Sequence, residues 1–366
     1  MVPKPTSVIG ALRAYDPGHD LPALRAKRAP GALVELGSNE NSFGPSPRVF
    51  EALRTAAAEE VWRYPDPLGL ALRRALAAKM GVGVDQVVLG NGSHELLMLV
   101  AQCWAGPGDE VVFSEFGFAV FPIGTAAVGA TPRRAPARPL DDQMPRGHDL
   151  DALAAQVGPK TRIVFLANPN NPTGTWFGRG ALLDFLAQVP ADVLVVLDEA
   201  YHEYVDAPEI ANGVELVARF PNVLVTRTFS KGHGLAGLRL GYAVGHPDVI
   251  AVVNRLRESF NANALALVAA QAALGDAAHV AQVRERTKAE RERVARALTG
   301  AGLFVHPSQT NFLLVDFREP APPIEAKLLA RNVVVRPMGG YGLPTCLRVS
   351  VGRPDENDAL VEALVR

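Results

Sequence analysis

Val193-Leu194-Val195-Val196-Leu197-Asp198-Glu199-Ala200-Tyr201 is an uninterrupted apolar run that ends in two carboxylates. A run that is apolar at every position, rather than at alternate ones, belongs to a strand covered on both faces. A second such run, Asn222-Val223-Leu224-Val225, leads into Thr226-Arg227-Thr228-Phe229-Ser230-Lys231-Gly232. Working outward, similar stretches stand at 87–89, 110–113, 162–167 and 238–244. Helical periodicity fills 47–60, 69–79, 94–104 and 180–188. Buried strands alternating with helices predict an α/β protein with a mostly parallel sheet covered on both faces.

Beyond residue 249 the pattern turns helical to about 274, and a charged stretch at 284–298 reads as a solvated helix face. Strand-like segments at 311–316, 333–336 and 346–351, with a helix near 323–331, describe a smaller α+β unit. The expected organisation is an irregular arm at 1–30, a large unit at 31–255 and a small C-terminal one at 256–366. A chain of 366 residues, 48% hydrophobic and 20% charged, has enough apolar material for more than one core. Its net charge of −1 offers no field for nucleic acid or an anionic membrane. Two cysteines and no signal-like or membrane-length apolar segment point to the cytoplasm.

Ligands of open α/β sheets collect beyond the carboxyl ends of the strands. Gly90-Asn91-Gly92-Ser93 lies at such an end and opens a helix, offering backbone N–H groups and a positive dipole that suit a phosphate. Taken alone, its plainer reading is a turn with Ser93 capping the helix. Asn170-Asn171-Pro172-Thr173-Gly174 is by itself a tight turn. Asp198 needs a partner, because an isolated buried charge is costly. A nucleotide-hydrolysing P-loop reading of that aspartate fails, since the chain has no Gly-Lys dipeptide. Gly232-His233-Gly234-Leu235-Ala236-Gly237 matches the dinucleotide glycine pattern in form only. It leads into a predicted strand, and its first acid, Asp248, comes too early. These glycines read instead as letting the backbone pass close to a cofactor.

Lys231 alone would be a solvated lysine. A lysine at one strand end and an aspartate at another, however, can form a Schiff base and hold a pyridinium nitrogen, as pyridoxal-phosphate chemistry requires. Thr228, Ser230 and Arg239 could close a phosphate cage begun by Ser93.

These motifs stand in the order found in fold-type-I pyridoxal-phosphate aminotransferases, and the chain resembles that family. Tyr15-Asp16-Pro17-Gly18, Ser38-Asn39-Glu40-Asn41, Arg63-Tyr64-Pro65-Asp66 and Leu347-Arg348-Val349-Ser350-Val351-Gly352 make it most similar to the histidinol-phosphate aminotransferase branch. The resemblance implies a seven-stranded sheet between helices, a smaller C-terminal domain and pyridoxal 5'-phosphate as cofactor. Lys231 would carry the Schiff base and move the substrate proton, and Asp198 would keep the ring nitrogen protonated. Tyr201 and Asn171 would hold the ring hydroxyl and Phe118 would stack on the ring. Ser93 and His94 (through their backbone), Thr228, Ser230 and Arg239 would hold the phosphate. Tyr64 would reach the phosphate of a neighbouring subunit, which implies a homodimer. Arg348 would grip a substrate carboxylate, a task suited to a bidentate guanidinium. Arg336 and Tyr15 would lie near the distal end of the amino donor.

The reaction so implied is a ping-pong exchange between histidinol phosphate and 2-oxoglutarate. Two departures stand out: His94 occupies a position that is often acidic, and Ser259-Phe260-Asn261-Ala262-Asn263 replaces a Pro-Phe-Asn-Val-Asn type stretch. Aromatic amino-acid transamination, threonine-phosphate decarboxylation and a non-catalytic cofactor-binding regulator are the rival activities on this scaffold.

Overall fold

The computed structural model describes residues 3–12, 18–29 and 31–365. In chain order its strands are β1 (Val34–Glu35), β2 (Val87–Gly90), β3 (Glu110–Ser114), β4 (Thr131–Ala135), β5 (Thr161–Ala167), β6 (Leu194–Asp198) and β7 (Val223–Thr228). They continue with β8 (Gly241–Val244), β9 (Phe304–Val305), β10 (Phe312–Asp316), β11 (Val333–Val334), β12 (Arg336–Pro337) and β13 (Cys346–Ser350). Seven form one sheet in the order β2-β8-β7-β6-β5-β3-β4. β8 runs antiparallel to both neighbours, and the other pairings are parallel. The predicted α/β class and mostly parallel sheet are what is observed.

The apolar runs divide between two faces because successive side chains point to opposite sides of a strand. From β6, Val195 and Leu197 enter one core while Leu194 and Val196 enter the other. The second core is covered by helices Ser93–Trp104, Val120–Ala127 and Pro247–Leu256, and the first by helices that include Leu70–Met80 and Arg179–Gln188. Each fully buried Val or Leu contributes about 1.5–3 kcal/mol relative to exposure. This covering makes the sheet a rigid base whose strand ends hold their loops in place.

A second, antiparallel sheet has the order β12-β13-β10-β9. Its core is closed by helices Ala277–Gly300, Ala321–Ala330 and Pro354–Val365 and also takes in Leu36. β1 pairs with β11, so the chain just after residue 31 joins this smaller unit. Helix Ala264–Leu274, beyond the expected division at residue 255, buries Ala266, Leu267, Ala269, Ala270 and Ala273 in the larger core.

Several expectations are corrected. The arm at 1–30 is not irregular throughout: it contains helices Ser7–Ala11 and Leu21–Ala26, the second capped by the Asp20 carboxylate, which accepts from the Ala23 N–H at 3.0 Å. The strand expected at 238–244 starts only at Gly241, because Ala236–Leu238 forms a single 3-10 turn and Arg239 takes φ 57°. The helical region 249–274 is two helices separated by a break where Phe260 has φ 60°. Among the described residues, no single helix is long and apolar enough to cross a membrane.

Candidate active site

Gly90, Ala167, Asp198 and Thr228 end four parallel strands at one edge of the large sheet. Above that edge lies a cavity of 410 Å³. Ser93, His94, Phe118, Asn171, Asp198, Tyr201, Thr228, Ser230, Lys231, Arg239 and Arg348 all line it. Of the remaining three predicted residues, two lie elsewhere. Tyr64 is 82% exposed on the outer surface and stacks on Phe260, with ring centroids 4.6 Å apart. Arg336 lines a small adjoining cleft with Gly18, His19 and Glu40. Tyr15 falls outside the described residues.

The strand ends set the charges. Asp198 is buried and accepts a 3.0 Å hydrogen bond from the Thr226 hydroxyl on the adjacent strand. Burial raises its carboxyl to about 7, against the pull of the Thr226 hydroxyl and the Ala200 N–H. No cation among the described residues pairs with it. It is therefore fitted to a ligand that brings an N–H carrying positive charge, such as a pyridinium.

Lys231 follows β7 and is half-buried in the same cavity. Its Nζ donates to the Ser38 and Asn39 carbonyls at 3.1 and 3.0 Å. Burial lowers its amine from 10.5 to about 7; Arg348 and Arg239 add to the effect and Glu40 opposes it. An amine neutral near pH 7 is nucleophilic and can take up a proton.

Opposite lies a cradle of donors. Gly92, with φ 81°, caps helix Ser93–Trp104, so Ser93 is the first helical residue rather than the cap. The Thr228 hydroxyl donates to Ser230 Oγ at 3.0 Å, and Arg239 Nη1 reaches the same oxygen at 3.4 Å. A Cβ on Gly241 would stand 2.4 Å from the Ser93 nitrogen, so only glycine leaves room for this helix start. A helix N-terminus, two hydroxyls and a guanidinium suit a phosphate dianion.

Arg348 completes the wall. Its Nη1 donates to Asn171 Oδ1 at 2.7 Å and its Nη2 to the Gly37 carbonyl at 3.0 Å, with its plane over Phe312. Nε has no hydrogen-bond partner, and no carboxylate among the described residues pairs with this buried guanidinium. Tyr201 is buried against Phe312, and its hydroxyl accepts from Asn39 Nδ2 at 2.9 Å.

The family model for aminotransferase class I and II matches residues 32–364. The chain belongs to that family. It is 50% identical over 355 residues to histidinol-phosphate aminotransferase 2 of Pseudomonas aeruginosa, covering 96% of this chain and 94% of the relative. It is 45% identical to the histidinol-phosphate aminotransferase of an Anaeromyxobacter species, covering 98% and 97%. Among solved structures, the histidinol-phosphate aminotransferase of Sinorhizobium meliloti, in complex with pyridoxal-5'-phosphate, superposes with a TM-score of 0.86 at 31% identity. That match covers 100% of this chain and 97% of the other.

Asn39 and Glu40, which the sequence marks only through the Ser38–Asn41 stretch and to which it gives no role, also shape this aminotransferase's cavity. Asn39 takes φ 55° and orients Tyr201 from 162 residues away, while its own carbonyl receives Lys231. Glu40 faces Lys231 from the cavity wall. Behind Asp198, the neighbouring Glu199 is buried in a salt bridge with Arg227 at 2.6 Å and also accepts from the Gly213 N–H at 2.7 Å. The glycines after Lys231 do not all face the cavity. A Cβ on Gly234 would strike the Gly44 and Pro45 backbone, and one on Gly232 the Glu203 side chain. Of that set, only Gly237 lines the cavity. Their close approaches are internal packing.

Proposed function

We propose that the chain transfers the amino group of histidinol phosphate to 2-oxoglutarate, with pyridoxal 5'-phosphate held in the cavity. The observation that carries the substrate is the 50% identity, along nearly the whole chain, to a relative named for it. The cofactor is supported by the uncompensated Asp198 and by the donor cradle that lines the same cavity together with Lys231. Pyridoxal phosphate supplies an electron-withdrawing ring that stabilises negative charge at the substrate carbon. Asp198 would accept the ring N–H, and Ser93, His94, Thr228, Ser230 and Arg239 would hold the phosphate. Tyr201 and Asn171 would hold the ring oxygen and Phe118 would pack against the ring. Lys231 would remove the proton from the substrate carbon and carry it. Arg348 would hold the carboxylate of glutamate or 2-oxoglutarate, and Arg336 and Tyr15 would serve the donor's distal phosphate.

The same reading includes a homodimer in the cytoplasm. Phe50, Val61, Trp62, Tyr64 and Leu68 are all exposed on one helix and the turn after it, an apolar group suited to burial against a second copy. Tyr64 would then serve the neighbour's site. Both cysteines are unpaired, as suits a reducing compartment. The larger unit would run through helix Ala264–Leu274, and the smaller would take in β1 with the chain from Ala277 onward.

The test follows the visible band of the bound cofactor while single amino donors are added, then measures kcat/KM. Histidinol phosphate should convert the band at the lowest concentration. Preference for phenylalanine, or release of carbon dioxide without consumption of an oxo acid, would overturn the substrate assignment. Sedimentation at micromolar concentration should give twice the chain mass.

A further inference from the structure

β13 points Cys346 and Arg348 to the same face, since they are two residues apart. Its partner β10 places Leu314 opposite Arg348 and Asp316 opposite Cys346. Arg348 reaches from this face to Asn171 of the larger unit. The other end of the face is held by an arginine from the larger unit. Arg146 Nη2 donates to Asp316 Oδ2 at 2.8 Å, and its Nη1 lies 3.3 Å from Cys346 Sγ and 3.4 Å from His306 Nε2.

Three features show that this contact is built in. His306 Nδ1 lies 3.1 Å from the Leu314 carbonyl, which fixes the ring proton there and leaves Nε2 to accept from Arg146. Burial, reinforced by Arg146, lowers this imidazole to about 4, so the ring is neutral. Arg146 itself has φ 57°, a conformation that costs energy in a non-glycine residue. Its loop is closed on both sides by backbone bonds, Arg138 N–H to the Gly147 carbonyl and Arg146 N–H to the Arg138 carbonyl, each 3.0 Å. The side chain is 17% exposed and the Asp316 side chain 5%. A planar guanidinium can face a carboxylate, an imidazole nitrogen and a thiol at once, whereas an ammonium cannot meet all three in this geometry.

We propose that Arg146 is a positioning residue for Arg348. It fastens the β10–β13 ladder to the body that carries Asn171, Lys231 and Asp198, so the Arg348 guanidinium stays aimed at a substrate carboxylate. The strands are paired through five residues each, so a shift at Cys346 moves Arg348 with it. This proposal rests on the carboxylate-binding reading of Arg348 given above.

The test uses the cofactor-loaded wild type with Arg146→Ala, Arg146→Lys, Asp316→Asn and Arg348→Lys. It measures calorimetric Kd for glutarate, a dicarboxylate that cannot react, KM and kcat with 2-oxoglutarate, the cofactor band and Tm. Arg146→Ala should raise the glutarate Kd and the KM about tenfold, equivalent to about 1.4 kcal/mol. Its kcat should stay within twofold of wild type, with the cofactor band unchanged. Arg146→Lys and Asp316→Asn should each raise Kd about threefold, which keeps the test alive if the alanine protein does not fold. If Arg348→Lys loses glutarate binding while the Arg146 and Asp316 variants keep it, the clamp is wrong and the Arg348 reading stands. If Arg348→Lys binds glutarate as wild type does, both fall. A parallel loss of cofactor, kcat and Tm in the Arg146 variants, with no recovery in the lysine protein, would mean a purely structural role and overturn the proposal.

Discussion

Replacing Asp198 by asparagine should stabilise the cofactor-free protein while disabling the enzyme. The carboxyl is buried, bonded to one hydroxyl and one backbone N–H, and raised from 3.8 to about 7 by burial above all. Moving a carboxyl between those values corresponds to about 4 kcal/mol of cost for the charged form. The sign follows from proton binding. Below pH 3.8 the folded and unfolded chains both carry the proton, and the folded state bears no penalty. As pH rises towards 7 the unfolded chain releases its proton first, so the stability associated with the protonated form is progressively lost. Above about 7 the full cost is present.

Asparagine keeps the shape without the charge. In cofactor-free protein its advantage over wild type should be about 2 kcal/mol at pH 5.5 and about 4 kcal/mol at pH 8.5, read from urea unfolding at both pH values. With saturating pyridoxal phosphate the order should shrink or reverse, because the ring nitrogen then supplies the counter-charge that only aspartate can use. Turnover should fall by at least about 100-fold, the scale for removing a preorganised charge from a reacting centre. A wild type and variant whose stabilities run parallel between pH 5.5 and 8.5 would refute the assignment of Asp198 as an uncompensated buried charge.

Recombination of cofactor-free protein with pyridoxal phosphate should accelerate through about pH 7 as the Lys231 amine loses its proton; a midpoint near 10 in stopped-flow absorbance would contradict its burial. Gly241→Ala should weaken cofactor binding at least tenfold in equilibrium titration, since the new Cβ meets the Ser93 nitrogen at 2.4 Å, the Gly92 carbon at 2.8 Å and the Arg227 carbonyl oxygen at 2.9 Å, all backbone atoms that cannot rotate away. Arg227→Met should cost about 3–5 kcal/mol of unfolding free energy by leaving Glu199 buried without its partner, seen as a fall in the urea midpoint.

What could be read from the sequence was whatever depends on neighbours along the chain. β6 announces itself because both faces are covered and every position before Asp198 is apolar, so Asp198 is placed at a strand terminus without knowing the fold. In β7 the apolar run Val223-Leu224-Val225 marks the strand but stops three residues before its end at Thr228, and Lys231 follows three residues after that. β4 gave no such signal: Thr131-Pro132-Arg133-Arg134 is exposed at the sheet edge, where proline and charge are tolerated and hydrophobic pattern is absent. β1 is two residues long and exists only because it pairs across the chain with β11, which lies inside the strand-like segment 333–336. Asn39 and Arg146 belong to the same class. Their roles come from left-handed backbone turns and from partners 162 and 170 residues away, which no local window contains.

The arrangement of charge also predicts that stability and activity oppose each other here. The fold buries a carboxylate at Asp198 and a guanidinium at Arg348, and neither has an ionic partner among the described residues. Burial together with the Arg348 charge pushes the Lys231 amine between them towards neutrality. Each unpaired charge lowers the stability of the folded chain, and under the proposed function each would be matched in sign to one reactant group: Asp198 to a protonated ring nitrogen, Arg348 to a substrate carboxylate. The desolvation that weakens the fold has therefore been completed before either ligand arrives, and both electrostatic contacts form at nearly full strength when the ligand binds. Substitutions that neutralise these positions should raise Tm and lower activity together, and a gain at one cannot be combined with retention of the other.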